Sequence, residues 1–319
     1  MGQLMSIMGL LYVRDCDTKQ VVNDLTLFPP YPVFCILCGG NVTLQIEWTP
    51  KMGNSLECTA SMPSRMPSRI ASASHTCRSW TASPSARCTA NRSLPSPCQL
   101  TLVNRRKVLI VSHGNAIDNG CCISAMLLYA RSLDMDCIYY DYEGFGCSDG
   151  FTSCDCLERD IRVVYDYARQ FFKGEDIFLL GESMGSVPTC HLAASLYRSF
   201  AASKASGFPC EPPLGGVILN GAVYSGRELI PCCLLPNRKD PYDNAAVISS
   251  IQCPVFFIHG MNDDIIPLAD GKRLYNASTS KYPPWWVPNG NHTDLLLRQE
   301  HEYLSRLSQF IERCSHAHV

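Results

Sequence analysis

From Thr101 onward the apolar positions come in short runs separated by longer stretches of mixed polarity. Val108 to Val111, Cys137 to Tyr140, Ile177 to Leu180, Val217 to Leu219, Val255 to Ile258 and Trp285 to Val287 are unbroken apolar segments, the pattern of strands buried on both faces. Between and after them the spacing predicts helices over roughly Ile123 to Leu133, Leu157 to Phe172, Ser186 to Ser199, Ala245 to Ile251, Leu268 to Ala277 and Leu295 to Cys314. Strand followed by helix, six times over, predicts an α/β fold with a mostly parallel sheet and helices on both faces. Sites in such sheets form at the C-terminal ends of the strands.

The first hundred residues read differently. Val42, Leu44, Ile46 and Trp48 alternate with polar residues, and Leu56 to Ala60 is a hairpin partner across Met52-Gly53-Asn54. From about Ser61 to Pro97 the chain is rich in Ser, Pro, Arg, Ala, Thr and Cys, with no acidic residue between Glu57 and Asp118. A segment of that composition buries too little apolar surface to fold, so it is expected to be a disordered basic insertion. The predicted organisation is a membrane-tethering segment over 1–40, first strands of the sheet over 41–60, the insertion over 61–97 and a catalytic domain over 98–319.

Length and charge then narrow the field. A chain of 319 residues can bury a substantial core, and its formal net charge of −2 gives no basic field for nucleic acid, which is not an expected partner. The nineteen cysteines are odd in number and scattered, so they are expected to be reduced. Cys35-x-x-Cys38 and Cys154-x-Cys156 have no second pair at zinc-finger spacing, so neither a metal nor a cofactor is expected. Triplets of the N-x-S/T type at Asn41, Asn91, Asn276 and Asn291 read as chance matches. The N-terminus Met1-Gly2-Gln3-Leu4-Met5-Ser6 fits the signal for myristoylation of Gly2, with no basic n-region or cleavage site of a secretory peptide. One myristoyl chain holds weakly, and Cys16, Cys35 and Cys38 are candidates for a second lipid. The expected location is cytoplasmic, at the inner face of membranes.

Chemistry concentrates at three strand ends. Ile177 to Leu180 runs into Gly181-Glu182-Ser183-Met184-Gly185 and then a helix, the strand–turn–helix setting in which Gly-x-Ser-x-Gly exposes a nucleophilic serine. After Val255 to Ile258 comes His259-Gly260-Met261-Asn262-Asp263-Asp264, which offers an acid: Asp263, with Asp264 as its rival. After Trp285 to Val287 comes Gly290-Asn291-His292, which offers the base. A serine nucleophile needs a base, the base needs an orienting carboxylate, and the oxyanion needs donors. The backbone N–H groups of Met184 and of Asn115, in the loop Ser112-His113-Gly114-Asn115, are the expected donors, while His113 is read as bracing that loop.

Ser-His-Gly-Asn-Ala, Tyr140-Asp141-Tyr142-Glu143-Gly144-Phe145-Gly146-Cys147-Ser148, Gly-Glu-Ser-Met-Gly, Ile258-His259-Gly260 with Asp263, and Gly-Asn-His292 together resemble the ABHD17 (FAM108) group of α/β hydrolases over about Thr101 to Cys314. The resemblance implies the α/β-hydrolase fold and an acyl-protein thioesterase acting on S-acylated peripheral membrane proteins. The chain departs from the group in its basic insertion, an extra loop at Ala201 to Pro213, and an N-terminal glycine signal in place of a dense cysteine cluster. About thirty-five residues separate Leu219 from Val255, too few for a large lid domain. A serine peptidase resembling prolyl oligopeptidase rests on the same motifs, and a non-catalytic adaptor is a further alternative.

Overall fold

A computed structural model describes the backbone of residues 33–39, 43–49, 56–59 and 70–72. It also describes residues 107–316 apart from 147, 149–151, 208–209, 230–239 and 241. Gly2 and Cys16 lie outside these residues.

Six strands match the apolar runs: β5 (Val108–Ser112), β6 (Asp136–Tyr139), β7 (Ile177–Glu182), β8 (Gly216–Asn220), β9 (Val255–Gly260) and β10 (Trp285–Val287). They lie in the order β10-β9-β8-β7-β5-β6, all parallel. Successive residues of each strand serve opposite layers. Val108, Ile110, Leu179, Val217, Leu219, Val255 and Phe257 join one core, and Leu109, Val111, Phe178, Leu180, Ile218, Phe256 and Ile258 the other. Burial on both faces is why these strands read as continuous rather than alternating apolar runs.

Helices α1 (Asn119–Ser132) and α5 (Glu300–His316) cover the second core through Met126, Tyr129, Tyr303, Leu307 and Phe310. Helices α2 (Cys154–Ala168), α3 (Ser186–Ala205) and α4 (Leu268–Ala277) cover the first through Leu157, Ile161, Val187, Leu196 and Leu274. Asp118 and Ser153 cap α1 and α2 by accepting the N–H groups of Cys121 (3.1 Å) and Cys156 (3.2 Å). The buried Cys122, Cys137, Cys190, Cys253 and Cys314 are free thiols. Burial pushes the thiol of Cys253 up to about 12, which keeps it protonated and inert.

Four expectations are corrected. Residues 41–60 were expected to start the main sheet, but β1 (Val33–Gly39), β2 (Thr43–Thr49) and β3 (Leu56–Thr59) form a separate antiparallel sheet, with Phe34 opposite Trp48 and Trp48 opposite Leu56. Both edges of β2 are occupied, so its ladder ends there. Within the expected disordered insertion, Ile70–Ser72 (β4) pairs in parallel with β6 at the sheet edge. The apolar Ile70 and Ala71 lie beside a strand whose outer edge needs backbone partners. The extra loop expected from Ala201 begins later, because α3 runs to Ala205 before Gly207 turns at φ +75°. Ala201, Ala202 and Ala205 favour the helix, and a glycine in the left-handed region ends it. Similarly, the single helix expected over Leu295 to Cys314 is a turn, Leu295–Arg298, followed by α5.

One carboxylate is held at a cost. Asp160 on α2 accepts the N–H of Glu143 (2.8 Å), yet burial pushes its carboxyl up to about 6 against that donor and the charge of Arg159. A raised carboxyl means that the fold binds the proton more tightly than the unfolded chain does, so stability falls as pH rises from the ordinary aspartate range through about 6. Asp160→Asn keeps an oxygen for Glu143 and removes the ionisation. It should raise stability at pH 7 by on the order of 1–2 kcal/mol and by much less at pH 4.5. Thermal melts of both proteins at the two pH values check this, and an equal gain at both would refute it.

Candidate active site

Ser183 sits where β7 gives way to α3, at φ +52°. A left-handed angle costs a non-glycine residue roughly 1–2 kcal/mol, so the neighbouring packing must impose it. Gly181 and Gly185 allow that packing. A methyl at Gly181 would lie 2.7 Å from the Gly185 carbonyl oxygen, and one at Gly185 would overlap the Ser112 carbonyl at the end of β5. The elbow is therefore clamped against the neighbouring strand, and its hydroxyl projects at the sheet edge.

The loops after β9 and β10 meet at that hydroxyl. His292 Nε2 lies 2.7 Å from Ser183 Oγ, and His292 Nδ1 lies 2.7 Å from Asp263 Oδ2. A carboxylate only accepts, so Nδ1 carries the proton and Nε2 is left to accept from the serine. Asp263 Oδ1 accepts the N–H groups of Ile265 (3.0 Å) and Ile266 (2.8 Å). Burial raises the Asp263 carboxyl, but hydrogen bonds from His259 and His292, the His292 charge and the Ile266 N–H outweigh it and hold the group well below the usual carboxylate range. Asp264, the rival, is exposed.

The donors expected for an oxyanion lie on the same edge. Met184 is the second residue of a 3₁₀ turn leading into α3, so its N–H belongs to the positive end of a helix. The loop carrying Asn115 packs on the elbow, since a methyl at Gly114 would stand 3.7 Å from Ser183 Cβ. Asn115 Oδ1 accepts from Ala116, which has φ +59°. His113 is fully buried, with Nδ1 2.8 Å from the Gly114 carbonyl oxygen and Nε2 3.4 Å from Asp141, and its ring packs on Tyr142. It braces the loop from behind and does not touch Ser183 through any of these contacts.

Two residues absent from the sequence-based set join the site. His259 Nε2 lies 2.9 Å from the Ile266 carbonyl and 3.3 Å from Asp263 Oδ2, and so donates to the acid's turn. Gly221, with φ +58°, follows β8; a methyl there would stand 3.1 Å from His292 Cε1 and 3.6 Å from Asp263 Oδ2. Only Gly221's lack of a side chain was legible beforehand, because its contact with His292 spans separate strand ends.

That contact yields a direct expectation. Gly221→Ala forces a strained backbone and a methyl against the imidazole, and should lower kcat about tenfold or more while the fold persists. Steady-state kinetics beside a circular-dichroism melt tests it, and full kcat in the variant would show that the ring tolerates displacement.

No protein-family model matches the chain. Human α/β hydrolase domain-containing protein 17B is 27% identical over 310 residues, covering 92% of this chain and 91% of that protein. The protein aho-3 of Caenorhabditis elegans is 28% identical over 305 residues, 92% and 78% of the two chains. Protein 17C of Xenopus laevis is 32% identical over 209 residues, 65% and 61%. Among solved structures, the α/β hydrolase GrgF from Penicillium sp. sh18 superposes with a TM-score of 0.51 at 14% identity, over 66% of this chain and 90% of that one. A putative lipase from Acinetobacter baumannii AYE superposes with a TM-score of 0.50 at 17% identity, over 66% and 85%. The chain thus has the α/β-hydrolase fold and is a homologue of the α/β hydrolase domain-containing 17 proteins.

Proposed function

We propose that the protein is a serine hydrolase of acyl esters and thioesters, and that its substrates are S-acylated proteins from which it removes the fatty acid. The observation that carries the reading is the unbroken contact from Asp263 through His292 to Ser183, at 2.7 Å for each link. In this mechanism His292 takes the Ser183 proton as Oγ attacks the acyl carbonyl, and Asp263 stabilises the resulting imidazolium. The N–H groups of Met184 and Asn115 receive the oxyanion. The leaving group departs with the proton from His292, and water, activated by the same ring, then releases the fatty acid from the acyl-serine.

The preference for thioesters rests on leaving-group chemistry. A cysteine thiol, with an unperturbed pKa of about 8.5, departs far more readily than an amine. The homology to the 17B and 17C proteins and the likeness of fold to a putative lipase are consistent with acyl transfer to water. Large apolar side chains are also exposed at Met261 and Ile265, on the loop that bears Asp263, and at Leu297, in the helical turn Leu295–Arg298 that follows His292. On this reading they receive part of the fatty chain.

Ser183→Ala should lower hydrolysis of a long-chain thioester by about 10³-fold or more and abolish labelling by a fluorophosphonate, with the melting curve retained. Asp263→Asn should be strongly impaired and Asp264→Asn close to the parent; the reverse order would move the acid to Asp264. A series of thioesters of rising chain length should show kcat/KM growing by up to about fourfold per methylene, the equivalent of roughly 0.8 kcal/mol per buried CH₂, until added methylenes no longer meet the protein. A flat profile with efficient cleavage of peptide amides would favour a peptidase instead.

A further inference from the structure

Ser183 is gripped through its carbonyl as well as through its hydroxyl. Ser186, three residues on and fully buried, donates its hydroxyl proton to the Ser183 carbonyl oxygen (2.6 Å), and its main-chain N–H reaches the same oxygen. The Ser186 hydroxyl oxygen in turn accepts the N–H of Val223 (3.2 Å) and a proton of Asn244 Nδ2 (3.1 Å). Asn244 is fully buried too, and its Nδ2 also donates to the Val223 carbonyl (2.7 Å). That carbonyl can only accept, so the amide nitrogen of Asn244, and not its oxygen, faces Ser186.

These partners settle the direction of the Ser186 hydroxyl. A serine oxygen has two lone pairs and one proton. Val223 and Asn244 occupy the lone pairs, so the proton is committed to the Ser183 carbonyl. The peptide that begins with this carbonyl ends with the N–H of Met184, and in a planar trans peptide the two bonds point in opposite directions. Fixing the one therefore aims the other. The second N–H of the mechanism stands in a matching arrangement. Asn115 N–H shares a peptide with the Gly114 carbonyl, whose oxygen lies 2.8 Å from Nδ1 of the buried His113.

We propose that Ser186, oriented by Asn244, is a positioning residue for the oxyanion: it fixes the plane of the Ser183–Met184 peptide and so keeps the Met184 N–H aimed at the charge that develops on the acyl carbonyl. The inference rests on the hydrolytic reading above. It ties the elbow to the strand end that also backs the base, because Val223 lies two residues beyond Gly221. The effect belongs to the reacting state, since a ground-state carbonyl oxygen carries little charge for the N–H to meet.

Ser186→Ala deletes the hydroxyl and leaves the main-chain N–H on the Ser183 carbonyl. With a soluble acyl ester it should lower kcat about tenfold with KM within about twofold. An alkyl trifluoromethyl ketone gives a readout that needs no turnover. Ser183 Oγ bonds to the ketone carbon, the π pair of the C=O moves to oxygen, and His292 keeps the serine proton, so the adduct carries the oxyanion. Its dissociation constant, followed by the ¹⁹F resonance, should also rise about tenfold, while that of the corresponding alcohol, which forms no adduct, stays within about twofold. Asn244→Leu frees one lone pair of Ser186 and leaves its proton in place. It should act in the same direction by about two- to threefold, and it carries the test if Ser186→Ala does not fold. A parent protein that neither hydrolyses the ester nor binds the ketone would sink the hydrolytic reading. With an active parent, ketone affinity that is unchanged in whichever variant folds, or lost in step with that of the alcohol, would overturn the role of Ser186, however far the melting temperature falls.

Discussion

The site depends on one close approach of backbone to backbone. Gly185 sits against the Ser112 carbonyl where β5 and β7 run side by side, and this contact leaves no room for a Cβ. It holds Ser183 in a backbone angle that the residue would otherwise avoid. It also brings the loop after β5, with Gly114 and Asn115, up against the serine. The serine and the loop carrying the proposed oxyanion donor Asn115 are thereby positioned by the same packing.

Carboxylates near the edge of this sheet differ in what surrounds them. Asp263 receives two main-chain N–H groups and two imidazoles, enough donors to overcome its burial and keep it ionised. Asp160 accepts from one main-chain N–H and Glu182 from one hydroxyl, and burial prevails at both. The difference follows from donor count rather than from depth alone. It separates a carboxyl held below the usual range beside a histidine from two that burial holds above it.

Glycines carry much of the geometry that side chains exploit. Gly221 lies behind the His292 ring, Gly271 of α4 lies where a methyl would meet His259 Nδ1 at 2.6 Å, and Gly181 accommodates the turn into α3. Each marks a place where two chain segments come closer than a Cβ permits. The acid and base loops are tied by main-chain hydrogen bonds as well, from Met261 N–H to the Val287 carbonyl and from Asn262 N–H to that of Gly290, both 2.9 Å.

The sequence by itself determined the six parallel strands, the helices between them, and the order of serine, acid and base along the chain. These follow from local signals: apolar runs of strand length, helical spacing, and a serine between glycines at a strand end. Helix ends were less legible, because the alanines after Ser199 and the break at Gln299 depend on neighbours as much as on propensity. Tertiary structure alone decided that Asp263 faces His292 while the adjacent Asp264 is exposed, since two neighbouring aspartates offer the same chemistry until a turn fixes one of them. It alone placed Ile70–Ser72 on the sheet edge and gathered β1 to β3 into their own sheet. It likewise brought Gly221, after β8, and His259, in β9, to one site. Strand pairing and loop contacts join residues far apart in sequence, and no local pattern records which of them will meet.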